Sequence, residues 1–328
     1  MNSNLIILTG SHPTPLEALA FKLNSNGYKT KILTVSTPKF NRHQKLISSL
    51  SLIKLPLSIL KAKTQLAQLQ PILVVSFGGY QALPVCLAAK LLHLPLLIHE
   101  QTFTPGLTTK LTSLIANKIA VSWPQSLSLF PSKKTFLTGN PLRQEIITIR
   151  RQSHPLPTIY ITGGHFGSKA INQAIEPILP QLLKKYTIYH QFGLNQTDKP
   201  PAIKHPNYHL QTWFTSNQLK KIYSFSDLIV SRSGINTVCE LAYLKIPAVL
   251  IPLETSQKNE QLTNAQFFKS LGLGLILKQS QLDPQTLAFT INQALTTLPQ
   301  PARINLDQKL LTQATTKLLK LVHETKTN

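Results

Sequence analysis

A short apolar run ends in a glycine-containing turn at four places in this chain, and a helical pattern follows each turn. The turns are Thr9-Gly10-Ser11-His12, Phe77-Gly78-Gly79-Tyr80, Thr162-Gly163-Gly164-His165-Phe166-Gly167-Ser168 and Ser231-Arg232-Ser233-Gly234-Ile235-Asn236-Thr237. Strand, glycine turn and helix are the repeating unit of doubly wound α/β sheets, which bind ligands where such turns meet. Two turns lie in each half, so the 328 residues are predicted to form two Rossmann-like, doubly wound α/β domains facing a central cleft.

The fourth turn has the features of a nucleotide site. The first N–H groups of the following helix, around Ile235 to Thr237, lack intrahelical partners and lie at the positive end of the helix dipole. Thr237 adds a hydroxyl, and Glu240, on the same helical face, can accept hydrogen bonds from the two hydroxyls of a ribose. A phosphate next to a ribose indicates a nucleotide. A packing turn followed by a surface glutamate is the alternative interpretation.

Strands are predicted wherever apolar runs are short. The runs are 5–8, 72–76, 94–99, 118–122, 134–138, 158–161, 186–191, 209–212, 227–230 and 248–252. His12 follows the first run, where a neutral imidazole could act as a general base, or it could simply cap the next helix. Residues 139–143 are typical of an interdomain hinge, from which Arg143 could reach into the cleft. The apolar repeat at 310–322 predicts a helix, with Asp307 as its cap.

Two loops in the second half carry polar or aromatic side chains of ambiguous role. Trp213 and Phe214 are either core residues or a contact to the edge of a base. After the strand at 248–252, neutral amides suit the hydroxyls and acetamido group of a sugar, although loop amides are also common solvent contacts. The polar residues of this second loop are Glu254, Gln257, Glu260, Gln261 and Asn264.

The charge of the chain is strongly positive. There are 34 Lys and Arg residues against 12 Asp and Glu residues, for a formal net charge of +22, and residues 1–150 contain sixteen basic and only three acidic residues. Such a field favours phospholipid head groups, diphosphates or nucleic acid, although a general solubility bias would look the same. Nucleic acid is not expected, because no nucleic-acid motif is present and the aromatic residues are not interleaved with basic ones.

Residues 39–69 mix basic and apolar side chains without acids, which suits the head-group region of an anionic membrane. An ordinary half-buried helix pair is the alternative, and Pro56 predicts two short segments rather than one long helix. No apolar run approaches the roughly 20 residues that span a bilayer, and the N-terminus predicts a strand rather than a signal peptide. Any membrane contact is therefore expected to be peripheral. Cys86 and Cys239 fit a reducing cytoplasm and predict neither a disulfide nor a metal site.

The order of the motifs resembles the MurG family of UDP-N-acetylglucosamine transferases, which complete the lipid-linked peptidoglycan precursor of bacteria. The matching stretches are Thr9-Gly10-Ser11-His12 with Pro15, Phe77-Gly78-Gly79-Tyr80 with Pro84, His99-Glu100-Gln101 with Pro105-Gly106-Leu107-Thr108, Gly139-Asn140-Pro141-Leu142-Arg143, Gly163-Gly164-x-x-Gly167, Arg232-Ser233-Gly234 through Glu240, and Gln261 with Asn264-Ala265. The resemblance implies a GT-B fold. Residues 1–143 would form the acceptor-binding, membrane-associated domain, residues 144–307 would bind the UDP-sugar, and a helix at 308–325 would pack back on the first domain.

The resemblance also implies residue roles. Phe214 would bind uracil through its backbone, Glu240 the ribose and Gln261 the N-acetylglucosamine, while His12 would be the base. The implied donor-binding set is Arg143, Gly163, Gly164, His165, Gly167, Phe214, Ser233, Gly234, Ile235, Asn236, Thr237, Glu240, Gln261 and Asn264. The implied acceptor-binding set is Gly10, Ser11, Gly78, Gly79, Tyr80, Glu100 and Thr102.

Three features depart from the family pattern. The first glycine loop is shorter than the family's Gly-Gly-Thr-Gly-Gly-His, which affects the acceptor cradle and the reach of His12. Thr102 replaces an Asn after His-Glu-Gln, and His165 replaces a small Ser in the glycine loop of the second half. These changes are expected to alter contacts to the acceptor and to the diphosphate.

The expected reaction is inverting transfer of N-acetylglucosamine from UDP to the C4 hydroxyl of a muramyl sugar on a polyprenyl diphosphate. It needs a base for the hydroxyl and fixed positive ends for the departing diphosphate. No cofactor and no obligatory metal are expected, because the sequence has no Asp-x-Asp pair. The alternatives are another lipid or glycan acceptor, sugar epimerisation, or a non-catalytic protein that binds nucleic acid or anionic membranes.

Overall fold

The computed structural model describes residues 4–11, 13–35, 49–256, 259–298 and 306–326, except for the side chains of 49–54. The chain divides into two compact units. The first contains residues 1–144 and 308–328, and the second contains residues 145–307. Each unit is built around a parallel sheet with helices on both faces.

The sheet of the first unit has six strands within the described residues, in the order β2-β1-β3-β4-β5-β6. The strands are β1 (Leu5–Thr9), β2 (Lys29–Ile32), β3 (Leu73–Ser76), β4 (Leu96–Glu100), β5 (Lys118–Val121) and β6 (Thr135–Leu137). The helices are α1 (Pro13–Asn24), α2 (Ser49–Leu69), α3 (Leu83–Leu91) and α4 (Leu107–Ile115). The strand order reverses between β1 and β3, so the switch point of this sheet lies between their carboxyl ends.

Both faces of this sheet are covered, which explains its apolar strands. Along β1, Ile7 packs into one hydrophobic cluster, while Ile6 and Leu8 pack into the cluster on the opposite face. Successive side chains of a strand point to opposite faces, and a strand covered on both faces has no position left for a polar residue.

The second unit repeats this plan, with strand order β12-β11-β10-β7-β8-β9 in its described residues. The strands are β7 (Thr158–Thr162), β8 (Thr187–Gln191), β9 (Tyr208–Gln211), β10 (Ser226–Ser231), β11 (Ala248–Leu250) and β12 (Gly274–Ile276). The helices, starting at the boundary between the units, are α5 (Gln144–Ile147), α6 (Lys169–Ile175), α7 (Leu179–Leu182), α8 (Ser216–Phe225), α9 (Ile235–Leu244), α10 (Glu260–Ser270) and α11 (Pro284–Thr297). The order reverses between β7 and β10, which gives this sheet its own switch point.

The end of the chain packs on the first unit as α12 (Lys309–Thr312) and α13 (Ala314–Lys326). Leu318 and Val322 of α13 are buried in the cluster that also contains Ile6 and Leu8. The predicted Asp307 cap is wrong, because the cap residue of α12 is Gln308, with no side-chain hydrogen bond. The expected single helix breaks at Gln313, where φ is −96° and ψ is −3°.

Helix α2 corrects a second prediction. It runs through Pro56 without a break, so the expected division into two segments is wrong for residues 49–69, and residues 39–48 lie outside the described part of the chain. An internal proline costs a helix about 3 kcal/mol. Packing offsets this cost, because Ala62 and Leu66 are buried together with Val85 and Ala89 of α3.

All ten predicted strands are present, with ends shifted by at most two residues. The edge strands β2 and β12 were not predicted. Strand β2 exposes three of its four residues, so it lacks the apolar run that marks the central strands. No helix within the described residues has the length and apolarity needed to cross a bilayer.

Candidate functional site

The two glycine turns of the second unit lie side by side at its switch point. Residues 163–167 follow β7, and Gly234 follows β10, the strand that pairs with β7 in parallel. The sequence separates these turns by about seventy residues, but parallel pairing brings the carboxyl ends of both strands to one edge. This edge contains the predicted diphosphate-binding residues.

The loop at 163–167, which we call the diphosphate loop, requires its glycines for two different reasons. Gly164 has a φ of 87°, in the left-handed region that favours glycine. Gly163 is required for space, because a Cβ there would lie 2.2 Å from the backbone nitrogen of Ser168. Gly167 combines both conditions, with a φ of 78° and a Cβ position 2.2 Å from the carbonyl oxygen of Phe192.

Helix α9 begins without a side-chain cap. Its cap residue is Gly234, with φ −62° and ψ 141°, whereas α6, α8 and α11 are capped by Ser168, Thr215 and Asp283. A Cβ on Gly234 would meet nothing within 4 Å. Neither backbone conformation nor packing therefore requires glycine there. A glycine cap leaves the positive helix end accessible to an anion, and the predicted residues Ile235, Asn236 and Thr237 form the first turn.

Helix α10 is attached to the turn that precedes α9. Ser233 Oγ donates to the carbonyl oxygen of Gln261 at 2.7 Å, and Asn264 Nδ2 donates to the carbonyl oxygen of Ser233 at 3.0 Å. Gln261 Oε1 accepts a hydrogen bond from the Leu253 N–H at 2.9 Å. Three predicted donor-binding residues, Ser233, Gln261 and Asn264, are therefore in one hydrogen-bonded cluster. Gln257 lies outside the described residues.

Glu240 is buried, so its interpretation as a surface glutamate is wrong. Only 4% of the residue is exposed, and the hydroxyl of Tyr223 donates to Oε2 at 3.4 Å. Helix α9 places Glu240 more than one turn behind Gly234. Its carboxylate is therefore held in place by the protein. Glu240 belongs to α9, the helix whose N-terminus faces the switch point.

The ring of Phe214 lies in the core, as one of the two interpretations proposed, whereas the other interpretation concerns only its backbone. Its ring is buried in the cluster around Tyr160 and Tyr223, and its N–H donates to Gln191 Oε1 at 3.2 Å. Trp213 is 39% exposed and lies edge-to-face with His165, at 4.7 Å between ring centroids. The exposed His165 thus extends the diphosphate loop towards the loop at 212–215.

Arg232 supports this site through side-chain hydrogen bonds that the sequence did not predict. Its guanidinium donates to Ser168 Oγ at 2.8 Å, to Gln279 Oε1 at 2.6 Å and to the carbonyl oxygen of Ile251 at 3.1 Å. Burial lowers the pKa of the guanidinium and the charge of Glu254 raises it. Arg232 therefore joins the ends of β10 and β11 to the cap residue of α6. Its motif was visible in the sequence, but its partners are distant in sequence.

The two glycine turns of the first unit are also neighbours. The N–H of Ser11 donates to the carbonyl oxygen of Gly78 at 3.2 Å, and a Cβ on Gly79 would lie 1.9 Å from Ser11 Oγ. Four predicted acceptor-binding residues, Gly10, Ser11, Gly78 and Gly79, therefore meet at the β1/β3 switch point, with half-buried Tyr80 next to them. His12, the predicted base, lies outside the described residues.

Glu100 organises the loop that leads into α4. Its Oε1 accepts from the N–H of Thr102 at 3.0 Å and from the Thr102 hydroxyl at 2.8 Å, and Oε2 accepts from the N–H of Gly106 at 3.3 Å. Burial raises the pKa of the carboxyl, while these hydrogen bonds and one from Thr109 lower it. Glu100 and Thr102 are thus bound to each other at the end of β4.

The flanking residues His99 and Gln101 connect neighbouring strand ends. His99 Nε2 lies 3.0 Å from the carbonyl oxygen of Gly139, and Gln101 Nε2 donates to the carbonyl oxygen of Phe77 at 3.0 Å. Burial lowers the pKa of His99 to about 4, so its imidazole is neutral at neutral pH. Gly139 has a φ of 90°, and a Cβ at this position would overlap the backbone of Leu310.

Several buried polar atoms at this edge have no protein partner among the described residues. They are Thr9 Oγ1, Ser11 Oγ, His99 Nδ1 and Gln101 Oε1. Buried polar groups are normally hydrogen-bonded, so these atoms are available to hydrogen-bond a ligand or water at this edge. Arg143 is half-buried at the end of the first unit, one residue before its boundary. No group of three His, Cys, Asp or Glu side chains in the described residues is arranged to hold a metal ion.

Comparison with known proteins identifies the family of the chain. The C-terminal domain of glycosyltransferase family 28 matches residues 158–321, and the N-terminal domain of that family matches residues 17–121. A UDP-N-acetylglucosamine--N-acetylmuramyl-(pentapeptide) pyrophosphoryl-undecaprenol N-acetylglucosamine transferase of Lachnospira eligens is 31% identical over 320 residues, covering 88% of this chain and 90% of the relative. The protein of the same name from Clostridium botulinum strain Langeland is 30% identical over 319 residues, with 88% and 90% covered.

Solved structures agree with this result. The crystal structure of Acinetobacter baumannii MurG superposes with a TM-score of 0.68 at 26% identity, covering 98% of this chain and 99% of that one. The calicheamicin glycosyltransferase CalG4, at 14% identity and a TM-score of 0.64, covers 98% of its own chain and shares the fold alone. The predicted GT-B fold of two Rossmann-like domains is confirmed, and the chain belongs to glycosyltransferase family 28 and, within it, to the MurG family.

Proposed function

We propose that this chain is an inverting glycosyltransferase that moves N-acetylglucosamine from UDP-N-acetylglucosamine to the C4 hydroxyl of a muramyl sugar on a polyprenyl diphosphate, the step from lipid I to lipid II in peptidoglycan synthesis. The names of relatives that match along nearly nine tenths of the chain support this reaction. The observation that carries the proposal is the uncapped α9 N-terminus next to the diphosphate loop, at the switch point of the second sheet.

The second unit is the donor domain of the proposed enzyme. In the transition state negative charge develops on the departing UDP, so groups that are fixed and positive must face the diphosphate. The first turn of α9, Ile235 to Thr237, and the backbone of the diphosphate loop supply amide dipoles at adjacent strand ends. Glu240 binds the ribose, and Gln261 and Asn264 bind the N-acetylglucosamine. Because the dipoles are built into the backbone, we expect activity without an obligatory metal or cofactor.

The first unit is the acceptor domain. Unpaired buried atoms of Thr9, Ser11 and Gln101 lie where the acceptor would meet the sheet edge. The hydroxyls of Thr9 and Ser11 can donate to phosphate or hydroxyl oxygens, and Gln101 Oε1 can accept from a hydroxyl. His12 directly follows Ser11 in the chain and is the proposed base for the C4 hydroxyl.

The proposal is tested by incubating the protein with labelled UDP-N-acetylglucosamine or UDP-glucose and a lipid-linked muramyl acceptor. We expect labelled disaccharide lipid only from the first donor, without added divalent metal. His12→Ala should lower kcat by a factor of about 10² to 10⁴, the usual contribution of a general base, and leave UDP binding intact. Near-parental turnover would remove His12 from this role. An epimerised UDP-sugar, or transfer to another glycan only, would contradict the proposed reaction.

Helix α4 gives the first unit an apolar, basic surface. Leu107, Leu111 and Leu114 recur at helical spacing and are 64%, 47% and 76% exposed, and Lys110 is exposed between them. A leucine stripe beside lysine suits the interface of an anionic membrane. We propose that the enzyme binds the cytoplasmic face of the plasma membrane peripherally, through this surface.

A double substitution tests the membrane surface. Burial of one leucine contributes about 1.5–3 kcal/mol, so Leu111→Glu with Leu114→Glu should weaken binding to anionic vesicles by a factor of at least about 100. Cosedimentation with vesicles that contain anionic phospholipid measures the loss. Phe289→Glu, at a 68% exposed apolar residue of the second unit, is the matched control and should bind like the parent. Equal binding of all three proteins would refute the assignment to α4.

A further inference from the structure

One buried side chain joins the two loops that would hold opposite ends of the nucleotide. Gln191, the last residue of β8, donates from Nε2 to the carbonyl oxygen of Gly164 at 3.1 Å and to Thr162 Oγ1 at 3.1 Å. Its Oε1 accepts from the N–H of Phe214 at 3.2 Å. Gly164 belongs to the diphosphate loop, and Phe214 belongs to residues 212–215, which we call the base loop.

The bridge uses both donors and the acceptor oxygen of the amide. Strand β8 lies between β7 and β9, so a side chain at its carboxyl end is placed between the loops that follow its two neighbours. Both amide donors are directed to the β7 side and the acceptor is directed to the β9 side. Gln191 is only 2% exposed, so an aqueous partner does not replace these bonds easily.

The Thr162 hydroxyl completes the bridge. Its oxygen accepts from the N–H of Gly164 at 2.9 Å as well as from Gln191. The backbone at Gly164 is therefore fixed at both its N–H and its carbonyl oxygen by two side chains at strand ends. The base loop is connected to the same pair through Phe214.

We infer that Gln191 is a positioning residue that sets the distance and orientation between the base loop and the diphosphate loop, and that it thereby determines the affinity for a uridine diphosphate. The inference rests on the proposed function of the second unit. A ligand that contacts both loops through one covalent skeleton binds well only if the loops have the right separation, whereas a fragment that contacts one loop is insensitive to that separation.

The test compares UDP with its two fragments, uridine and inorganic pyrophosphate, by calorimetric titration. The substitution Gln191→Met keeps the length of the side chain and removes all three hydrogen bonds. We expect the affinity for UDP to fall by at least about tenfold, and the affinity for each fragment to fall by less than about threefold. A merely structural loss would reduce all three affinities by one common factor.

Two further variants make the result specific. Thr162→Val, which removes the hydroxyl at the other end of the bridge, should show the same pattern and provides the test if Gln191→Met does not fold. Gln196→Met removes a single hydrogen bond, from Nε2 to the carbonyl oxygen of Phe166 in the diphosphate loop, without touching the base loop. In this variant the ratio of the affinity for UDP to the affinity for uridine should be the same as in the parent protein.

The outcomes separate this inference from the proposed function. If the parent protein does not bind UDP, the proposed function fails. If the parent binds UDP but Gln191→Met keeps its affinity, or loses UDP and fragment affinity equally, only the positioning role is overturned.

Discussion

Gly234→Asp should lower the affinity for UDP by at least about 100-fold and at the same time raise the free energy of unfolding. The cap residue has β-region backbone angles and open space around its Cβ, so an aspartate fits without strain. Its carboxylate would accept hydrogen bonds from the first turn of α9 and complement the helix dipole. The same carboxylate would occupy the position that the proposed function gives to the diphosphate.

The two effects differ in size as well as in sign. A charged cap in place of glycine stabilises a helix by a few tenths to about 1 kcal/mol. Two like charges about 4 Å apart repel by about 4 kcal/mol at an effective dielectric constant of about 20, so UDP affinity should fall by at least about 100-fold. Calorimetric titration with UDP and urea denaturation of the same preparation measure both quantities.

Gly234→Asn is the matched control, because an asparagine caps the helix without adding a charge. It should stabilise the fold similarly but weaken UDP binding less than the aspartate does. If the aspartate variant binds UDP as well as the parent protein, the α9 N-terminus is not the diphosphate site.

Acidification should unfold the protein through two buried neutral histidines. Burial lowers the pKa of His99 and of His190 to about 4, whereas a histidine in an unfolded chain titrates near about 6.5. Between these values the unfolded chain binds more protons than the folded protein, so the free energy of unfolding falls as the pH falls. Each histidine contributes about 3 kcal/mol to the free energy of unfolding at pH values above the unfolded pKa. This contribution is lost as the pH falls to the folded pKa.

His190 allows this contribution to be isolated. Its Nδ1 lies 2.9 Å from the Tyr208 hydroxyl and its Nε2 lies 3.1 Å from Asn172 Oδ1, so the ring is held in a buried network. His190→Gln should lower the free energy of unfolding at about pH 7 by about 1–3 kcal/mol, because the hydrogen bonds to Tyr208 and Asn172 lose their geometry. The variant does not titrate at this position, so its deficit relative to the parent should shrink as the pH falls towards about 4.5.

Urea denaturation at several pH values from about 7 to about 4.5 measures this difference. Glu100 acts in the opposite direction, because burial raises its pKa, but it is present in both proteins and cancels in the comparison. A deficit that stays constant with pH would show that protonation of His190 does not control acid stability.

The sequence alone determined the class of the fold and the position of its ligand-binding turns. Buried parallel strands need uninterrupted apolar runs, and the turns after them contain glycines, several of which the backbone conformation requires, so both leave local signals in the sequence. The ten predicted strands and the four turns followed from these signals. The continuous helix through Pro56 did not, because packing against α3 decided it.

Only the tertiary structure decided how the site is supported. Gln191 bridges Gly164 and Phe214, Arg232 reaches Ser168 and Gln279, and Glu240 is buried rather than on the surface. Each of these facts joins segments that are more than ten residues apart, and an isolated Gln, Arg or Glu has no local pattern that reveals its partner. Parallel strand order brings such residues to one edge, and that order is set by packing of the whole unit rather than by any single segment.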